Sequence, residues 1–478
     1  MKRIILFGCC FFICLARSSP KTDENSSSVQ SEKITSLTSG TSALDTISPN
    51  NPIIPVQEGI TDPHIRVYDG VAYMTACHDR SIDNEWFDID HWVMYSSTDL
   101  VNWKLEYALH PEETYIGKPY NQCWATDFIK RNGKYYWYFS EHNHGVGVMV
   151  AESSGGPWTD PLGKPLLEEG LVPTDPYDLG IVESDGDYYI IFGVWDYYIA
   201  RLNEDMISLA EKPKRITVNN PRGPYNLDGL NKEKPTDDKP YIHKYRGRFY
   251  LSWGCFYAMS DNIYGPYEYV DAVLNDSSFA EGYKEPTWPN GFRQGRHGSF
   301  FEMHNQWYFS YDDMSQTGNR FFRSAFISYV HYKENGEIAP IRVDGTGVGQ
   351  YDANNGSIEA EDYFKASQIN ITENKEGGFR VTGIDHDDFL TFPNIYGLEQ
   401  KSKIEFKATG LQDVTVEVHY DSPDGEILAS YRLKKQKDKN RPGSYEFDFP
   451  AQEGAVSLCF VFKGKKKNLL VLDSFSFR

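Results

Sequence analysis

The chain has 478 residues, a formal charge of −20, and 40% hydrophobic and 15% aromatic side chains. That much apolar material excludes a largely disordered chain, and the acidic balance excludes a phosphate-backbone partner, which needs a basic footprint. The 33 Tyr and 28 Phe favour strands and sugar-contacting surfaces over long helices.

Lys2 and Arg3 precede an apolar stretch from Ile4 to Ala16. It is too short to span a bilayer and suits a secretory leader, so residues 1–16 are read as a signal peptide and the mature chain is placed outside the cytoplasm. The run Leu6-Phe7-Gly8-Cys9 also looks like a lipoprotein cleavage box, which keeps a lipid anchor open as the alternative to cleavage near Ala16. Residues 17–50 turn to Ser, Thr, Asn, Lys and Glu and read as a disordered tether. Of the seven cysteines, Cys77, Cys123, Cys255 and Cys459 survive removal of the leader and lack metal-ligand spacing. They read as buried thiols, with a Cys77–Cys255 or Cys77–Cys123 bridge as the oxidised alternative.

From residue 51 to 344 one phrase recurs. TDPHIRVYDGVAYMTACHD sets an acid before an alternating run, a Gly turn and an aromatic strand. The same layout returns around Tyr136, Tyr189, Tyr250 and Tyr308, roughly 50 to 65 residues apart, the length of one propeller blade. Each unit also has a second half, such as VMYSSTDLVNW or VGVMVAESSGGPW, which offers strands for a four-stranded antiparallel blade. Gly and Pro punctuate the region and long helical periodicity is absent. The position upstream of each strand pair is filled in turn by Asp62, Asp127, Asp178, Asp238 and His297. Radial repetition would bring these five side chains to one channel, although an acid before a strand is also an ordinary turn residue. Residues 345–356 are glycine-rich and read as a linker. Residues 357–478 hold short alternating strands (KIEFKATG, VTVEVHY, SYEFDF, AVSLCFVF) that predict one β-sandwich. The expected class is all-β: a five-bladed β-propeller followed by a jelly-roll sandwich.

The phrases TDPHIRVYDGVAYM, SSTDLVNW, QCWATDFIKRNGKYYWYF, GPWTDPLGKPLL, YDLGIVESDGDYYIIFG, ARLNEDMISLA and RHGSFFEMHNQWYFSY resemble glycoside hydrolase family 43, a family of five-bladed propellers. The resemblance implies an inverting exo-glycosidase acting on α-L-arabinofuranosides or β-D-xylosides, with galactan-directed members in the same family. It makes Asp62 the general base and Asp178 the acid that tunes its partner's pKa. It places Asp127 near the pocket, Arg323 at a sugar subsite, and His297 beside a bound calcium. The family's Glu-Gly-Pro is replaced here by Asp238-Lys239-Pro240, so Asp238 as general acid sits about one methylene short, with Glu233 or Asp237 as substitutes. Asp178 is expected to hold Asp238 protonated while Asp62 stays ionised. Trp124 is expected to wall the sugar, and part of the loop carrying Trp86, Phe87 and Trp92 to shape the rim.

SIEAEDY at residues 357–363 and the terminal LDSFSF resemble carbohydrate-binding module family 6, which implies a structural calcium on Glu359, Glu361 and Asp473. Gly383 and Val471 stand where that family places sugar-binding Tyr and Asn, so the usual cleft is expected to be silent. No organic cofactor is expected, and the partner is an oligosaccharide or polysaccharide. The rival reading is a catalytically silent glycan-binding propeller.

Overall fold

The computed structural model describes residues 50–280, 283, 297–375, 377–439, 441–465 and 467–478. The leader, its Cys9 and the tether up to residue 49 lie outside the described residues. Among those residues helix is confined to single 3-10 turns, and no helix is long and apolar enough to cross a membrane.

Five antiparallel sheets follow one another in chain order as the blades of a propeller. Blade one is Ile60–Tyr68, Val71–Asp79, Ile89–Ser97 and Lys104–Leu109. Blade two is Cys123–Arg131, Lys134–Glu141, Gly145–Ala151 and Leu167–Glu168, and blade three is Gly180–Ser184, Asp187–Phe192, Tyr198–Arg201 and Lys214–Arg215. Blade four runs Pro240–Tyr245, Arg248–Trp253, Phe256–Ser260 and Tyr267–Ala272, and gains a parallel edge from Val218–Asn219. Blade five has three strands, Gly298–Met303, Gln306–Asp313 and Ser324–Val330, followed by a bridge between Tyr332 and Ile338.

The turn chemistry dictates this regularity. The first hairpin of each blade closes on two residues, Asp69-Gly70, Asn132-Gly133, Asp185-Gly186, Arg246-Gly247 and His304-Asn305, all with positive φ. Two consecutive left-handed residues match the right-handed twist of the flanking strands, which is why Asp-Gly and Asn-Gly occupy such turns. The blades bury large aromatic side chains, with Trp92, Trp137, Trp253, Tyr250 and Tyr308 nearly inaccessible to solvent. The ring is tied at its seam by the incoming chain. Asn51 Nδ2 donates to Ile327 O (2.9 Å), its Oδ1 accepts from Ile327 N (3.0 Å), and Ile53 N donates to Ala325 O (2.9 Å).

Two further sheets face each other over Phe392, Phe406, Phe460 and Phe475. One is built on Phe389–Tyr396, Val456–Lys463, Val414–Tyr420 and Ile427–Leu433, the other on Phe379–Thr382, Leu470–Phe477, Lys403–Gly410 and Gly443–Asp448. The glycine-rich stretch at 345–356 is packed rather than slack. Val348 and Gln350 are buried, and Tyr351–Asp352 pairs in parallel with Ile395–Tyr396. Blade five touches the sandwich directly: Gln306 Nε2 donates to Glu361 O and Tyr363 O (2.6 and 3.2 Å), and Tyr329 and Tyr351 share their hydroxyls at 2.9 Å. Cys77, Cys123, Cys255 and Cys459 are all buried and free, so neither predicted bridge forms.

Candidate active site

The inner strands of blades one, three and four begin with the same backbone device. Asp62, Asp178 and Lys239 have φ of 53°, 52° and 54°. A non-glycine residue in this left-handed region costs on the order of 1–3 kcal/mol, and such strain clusters where side chains must be aimed. At Asp62 the ladder to Val71–Asp79 shifts register between Thr61 and His64, freeing the residue from regular pairing. In blade four the left-handed position falls on Lys239, one residue after Asp238, where the resembling family has glycine.

These turns converge on His297. Its Nε2 lies 2.7 Å from Asp238 Oδ1 and its Nδ1 lies 2.7 Å from Asp62 Oδ1. The first contact is an aligned hydrogen bond; the second is close but oblique to the N–H direction, an ion pair rather than a hydrogen bond. Below Asp62 the Arg323 guanidinium grips Asp79 through Nε (3.1 Å) and NH2 (2.9 Å), and reaches Asp62 (3.2 Å) and Asp312 (3.5 Å) through NH1. Asp312 Oδ1 accepts from Asp62 N (2.6 Å) and Thr61 Oγ1 (3.0 Å). Asp178 is seated by its own N–H on Ser140 Oγ (3.0 Å). The Lys239 ammonium, fully inside, donates to Leu179 O (3.0 Å) and Thr126 O (3.3 Å).

Electrostatics divide the acids. Burial alone would raise the Asp62 carboxyl, but Arg323 and then His297 hold it well below the usual carboxylate range, so it is ionised. Burial, then the charge of Asp238, pushes Asp178 up to about 7 against the pull of His297 and Lys239. Burial, with Asp238 next, also keeps Asp237 well above the ordinary range. Burial disfavours the charge on His297, yet Asp238 and Asp62 outweigh it and hold the ring as an imidazolium. Crowding thus keeps a proton on Asp178 up to about neutral pH. Asp238 has a cationic partner and a side chain 31% exposed, whereas Asp62 and Asp178 are each 2% exposed. Of the substitute acids, Asp237 is buried and Glu233 is exposed on its loop.

The other predicted residues divide by place. Trp124 stands at the site, its ring 4.1 Å from His142 and 5.7 Å from Tyr177, the neighbour of Asp178. Phe87 and Phe321 (4.9 Å apart) continue the aromatic wall, with Trp86 largely exposed beyond them. Trp92 instead belongs to the core of blade one. Asp127 is fully buried and bonded to protein groups. Both its oxygens are taken by Arg66 (3.1 and 2.6 Å) and by the N–H groups of Phe128 and Ile181 (2.8 and 2.7 Å). It lies just after a register shift between Trp124 and Thr126. Arg323, expected at a subsite, is 3% exposed and spends its guanidinium on Asp79, Asp62 and Asp312. Asp79, Asp312 and Lys239 are the hub residues that sequence reading missed. Asp79 ends the second strand of blade one, and Asp312 is next to last in the second strand of blade five.

Among the described residues, the sets of three donors lying within 4.8 Å of one another are Asp62–His297–Asp312, Asp178–Asp238–His297 and His78–Asp90–His91. Glu359, Glu361 and Asp473 do not form such a set. Asp473 pairs with Lys407 (3.1 Å), while Glu361 Oε2 is buried without a hydrogen-bond partner.

A propeller hub that gathers a lowered carboxyl and raised ones around an imidazolium is equipment for acid–base cleavage of a glycosidic bond, the chemistry of a glycoside hydrolase. The chain belongs to Glycosyl hydrolases family 43, whose profile matches residues 49–338. A second profile, Carbohydrate binding module (family 6), matches residues 359–478. The chain is 27% identical to an arabinoxylan arabinofuranohydrolase of Paenibacillus polymyxa over 90% of its own length and 74% of that protein's. It is 26% identical to a xylosidase/arabinosidase of Bacteroides ovatus over 59% of this chain and 94% of the relative. A family 43 arabinoxylan arabinofuranohydrolase from Bacillus subtilis, solved with cellotetraose, superposes with a TM-score of 0.50 at 22% identity, covering 90% of this chain and 97% of the other.

Proposed function

We propose that this protein is an inverting exo-glycosidase that releases α-L-arabinofuranosyl or β-D-xylosyl units from plant-type polysaccharides or their oligosaccharides, acting outside the cytoplasm. Residues 51–344 form the catalytic propeller and 357–478 its module. The observation that carries the reading is the Asp62–His297–Asp238 bridge. Two carboxylate oxygens on opposite nitrogens of one imidazole stand at most roughly 7 Å apart, and their outer oxygens reach farther. An inverting pair needs roughly 6.5–9.5 Å to admit a water.

In this reading Asp62, ionised and backed by Arg323, is the general base that takes the water's proton. Asp238, the most accessible carboxyl of the three, is the general acid, and the imidazolium Nε2–H at 2.7 Å supplies the proton that it passes to the leaving oxygen. Asp178 is a positioning acid whose charge state sets the field on Asp238. Trp124 offers an apolar face to the sugar. Arabinose and xylose come from the names of the relatives, and the intact set of carboxyls leaves a silent glycan-binding propeller unfavoured.

A calcium in the module would draw on Glu359 and Glu361. Burial, then Asp362, pushes Glu361 up to about 9, and its free Oε2 faces the same crowd as Glu359. A hard cation held by Glu359, Glu361 and a released Asp473 would relieve that crowding. Near His297 both ring nitrogens are already turned to carboxylates, so an ion there would rest on the oxygens of Asp62 and Asp312.

Turnover of aryl arabinofuranoside and aryl xyloside, with NMR of the first anomer released, tests the proposal. Asp62→Asn should lower kcat by roughly 10²–10⁴, the usual weight of a general base. An unchanged rate in that variant, or a first anomer with retained configuration, would refute it.

A further inference from the structure

Blade one carries a second cluster that the catalytic reading does not use. His78 lies on the strand Val71–Asp79, and Asp90 and His91 on its neighbour Ile89–Ser97. Cys77 pairs with Trp92 and Asp79 with Ile89, so the single residue His78 faces both Asp90 and His91 across a bulge. A bulge sets two side chains against one and re-aims them. Here it brings His78 Nδ1 and His91 Nδ1 to 2.7 and 2.6 Å from the same Asp90 Oδ1.

We infer that His78, Asp90 and His91 form a binding site for a divalent transition metal of the zinc class, separate from the catalytic hub. Two imidazole nitrogens and one carboxylate oxygen are the donor set of a three-ligand zinc site that keeps its fourth position open. All three donor atoms lie within 4.8 Å of one another. Bonds of about 2.0–2.1 Å put ligand atoms about 3.3 Å apart on a tetrahedral ion, so the present 2.7 and 2.6 Å contacts to Asp90 need to open by about 0.6–0.7 Å. Metal takes the place that the Nδ1 protons now occupy between the rings and the carboxylate. Asp90 also lines a cleft of about 370 Å³ together with His110 and Glu112, and the His110 ring lies 5.0 Å from His91. The one guanidinium on that wall, Arg80, is turned to Asp88 (3.6 Å). With nitrogen donors the site selects zinc-class ions over calcium.

The location gives the site a consequence. His78 immediately precedes Asp79, whose carboxylate clamps Arg323 against Asp62. An ion that cross-links the two strands at the bulge therefore stiffens the segment supporting the general base.

The test is Zn²⁺ titration of the full chain after chelator treatment, by calorimetry and by thermal melting. The wild type should take up one zinc at this site with a rise in melting temperature. His78→Gln and His91→Ala should each weaken it at least tenfold, and Asp312→Asn, which alters the hub set, should leave it. X-ray absorption of the loaded protein should show two nitrogen and one oxygen protein ligands. Absence of zinc uptake by the wild type, equal uptake by His78→Gln and His91→Ala, or loss only in Asp312→Asn would each overturn the inference. Circular dichroism checks that both histidine variants are folded, and either one alone suffices for the comparison.

Discussion

Removing the charge of Asp178 should stabilise the protein while damaging catalysis. Its carboxyl is pushed from 3.8 to about 7 by burial and by Asp238. A raised acid is protonated in the folded chain when it is already ionised in the unfolded one, so its contribution is greatest below pH 4 and is lost as pH climbs to about 7. Roughly three pKa units at about 1.36 kcal/mol each give a cost on the order of 4 kcal/mol at pH 8. Asp178→Asn mimics the neutral form at every pH. Urea unfolding of both proteins, at several pH values from 4.5 to 8, should show the variant's advantage widening by about 3 kcal/mol and then levelling off above neutrality. Activity on aryl glycosides should fall over the same range. A stability difference that does not change with pH, or a variant less stable than wild type at pH 8, would refute the electrostatic argument.

Arg323→Lys replaces a bidentate, fully enclosed guanidinium with a single ammonium and leaves Asp79 partly unpaired; breaking such a pair costs about 3–5 kcal/mol, readable by urea unfolding. Lys239→Gly removes a side chain from a left-handed position and a cation that lowers Asp178, so the Asp178 titration followed by carboxyl NMR should move above 7. If Trp124 walls the sugar as proposed, Trp124→Ala should cut kcat/KM about tenfold, or about 1.4 kcal/mol, mainly through KM, because an indole has no part in proton transfer.

Much of the fold can be read in advance because its rules are local. Asp69-Gly70, Asn132-Gly133 and Asp185-Gly186 announce their hairpins by conformation alone, and their spacing sets the blade count. The phase of Asp62, Asp178, Asp238 and His297 likewise points to one hub. Asp127 stands six residues before Gly133, where Asp62 and Asp178 stand eight before Gly70 and Gly186, so it falls farther along its strand and out of that phase. Arg323 escapes because its partners, Asp79 and Asp312, sit 244 and 11 residues away and only the closed ring unites them. The protonation order is illegible for a related reason. It depends on how deeply each carboxyl is enclosed and on which one His297 meets, and spacing encodes neither.

The contacts between blade five and the sandwich bear on how far the enzyme can be cut down. Gln306, itself part of that blade, finds its acceptors only on the far side of residue 357, and Phe364 packs among Phe301 and Tyr308 of the propeller. A chain truncated after residue 344 would leave an amide and a patch of aromatic surface uncovered on the blade that also carries Asp312. The trimmed protein would thus be a wounded catalyst rather than a minimal one, and the module belongs to the architecture of the hub as much as to any glycan.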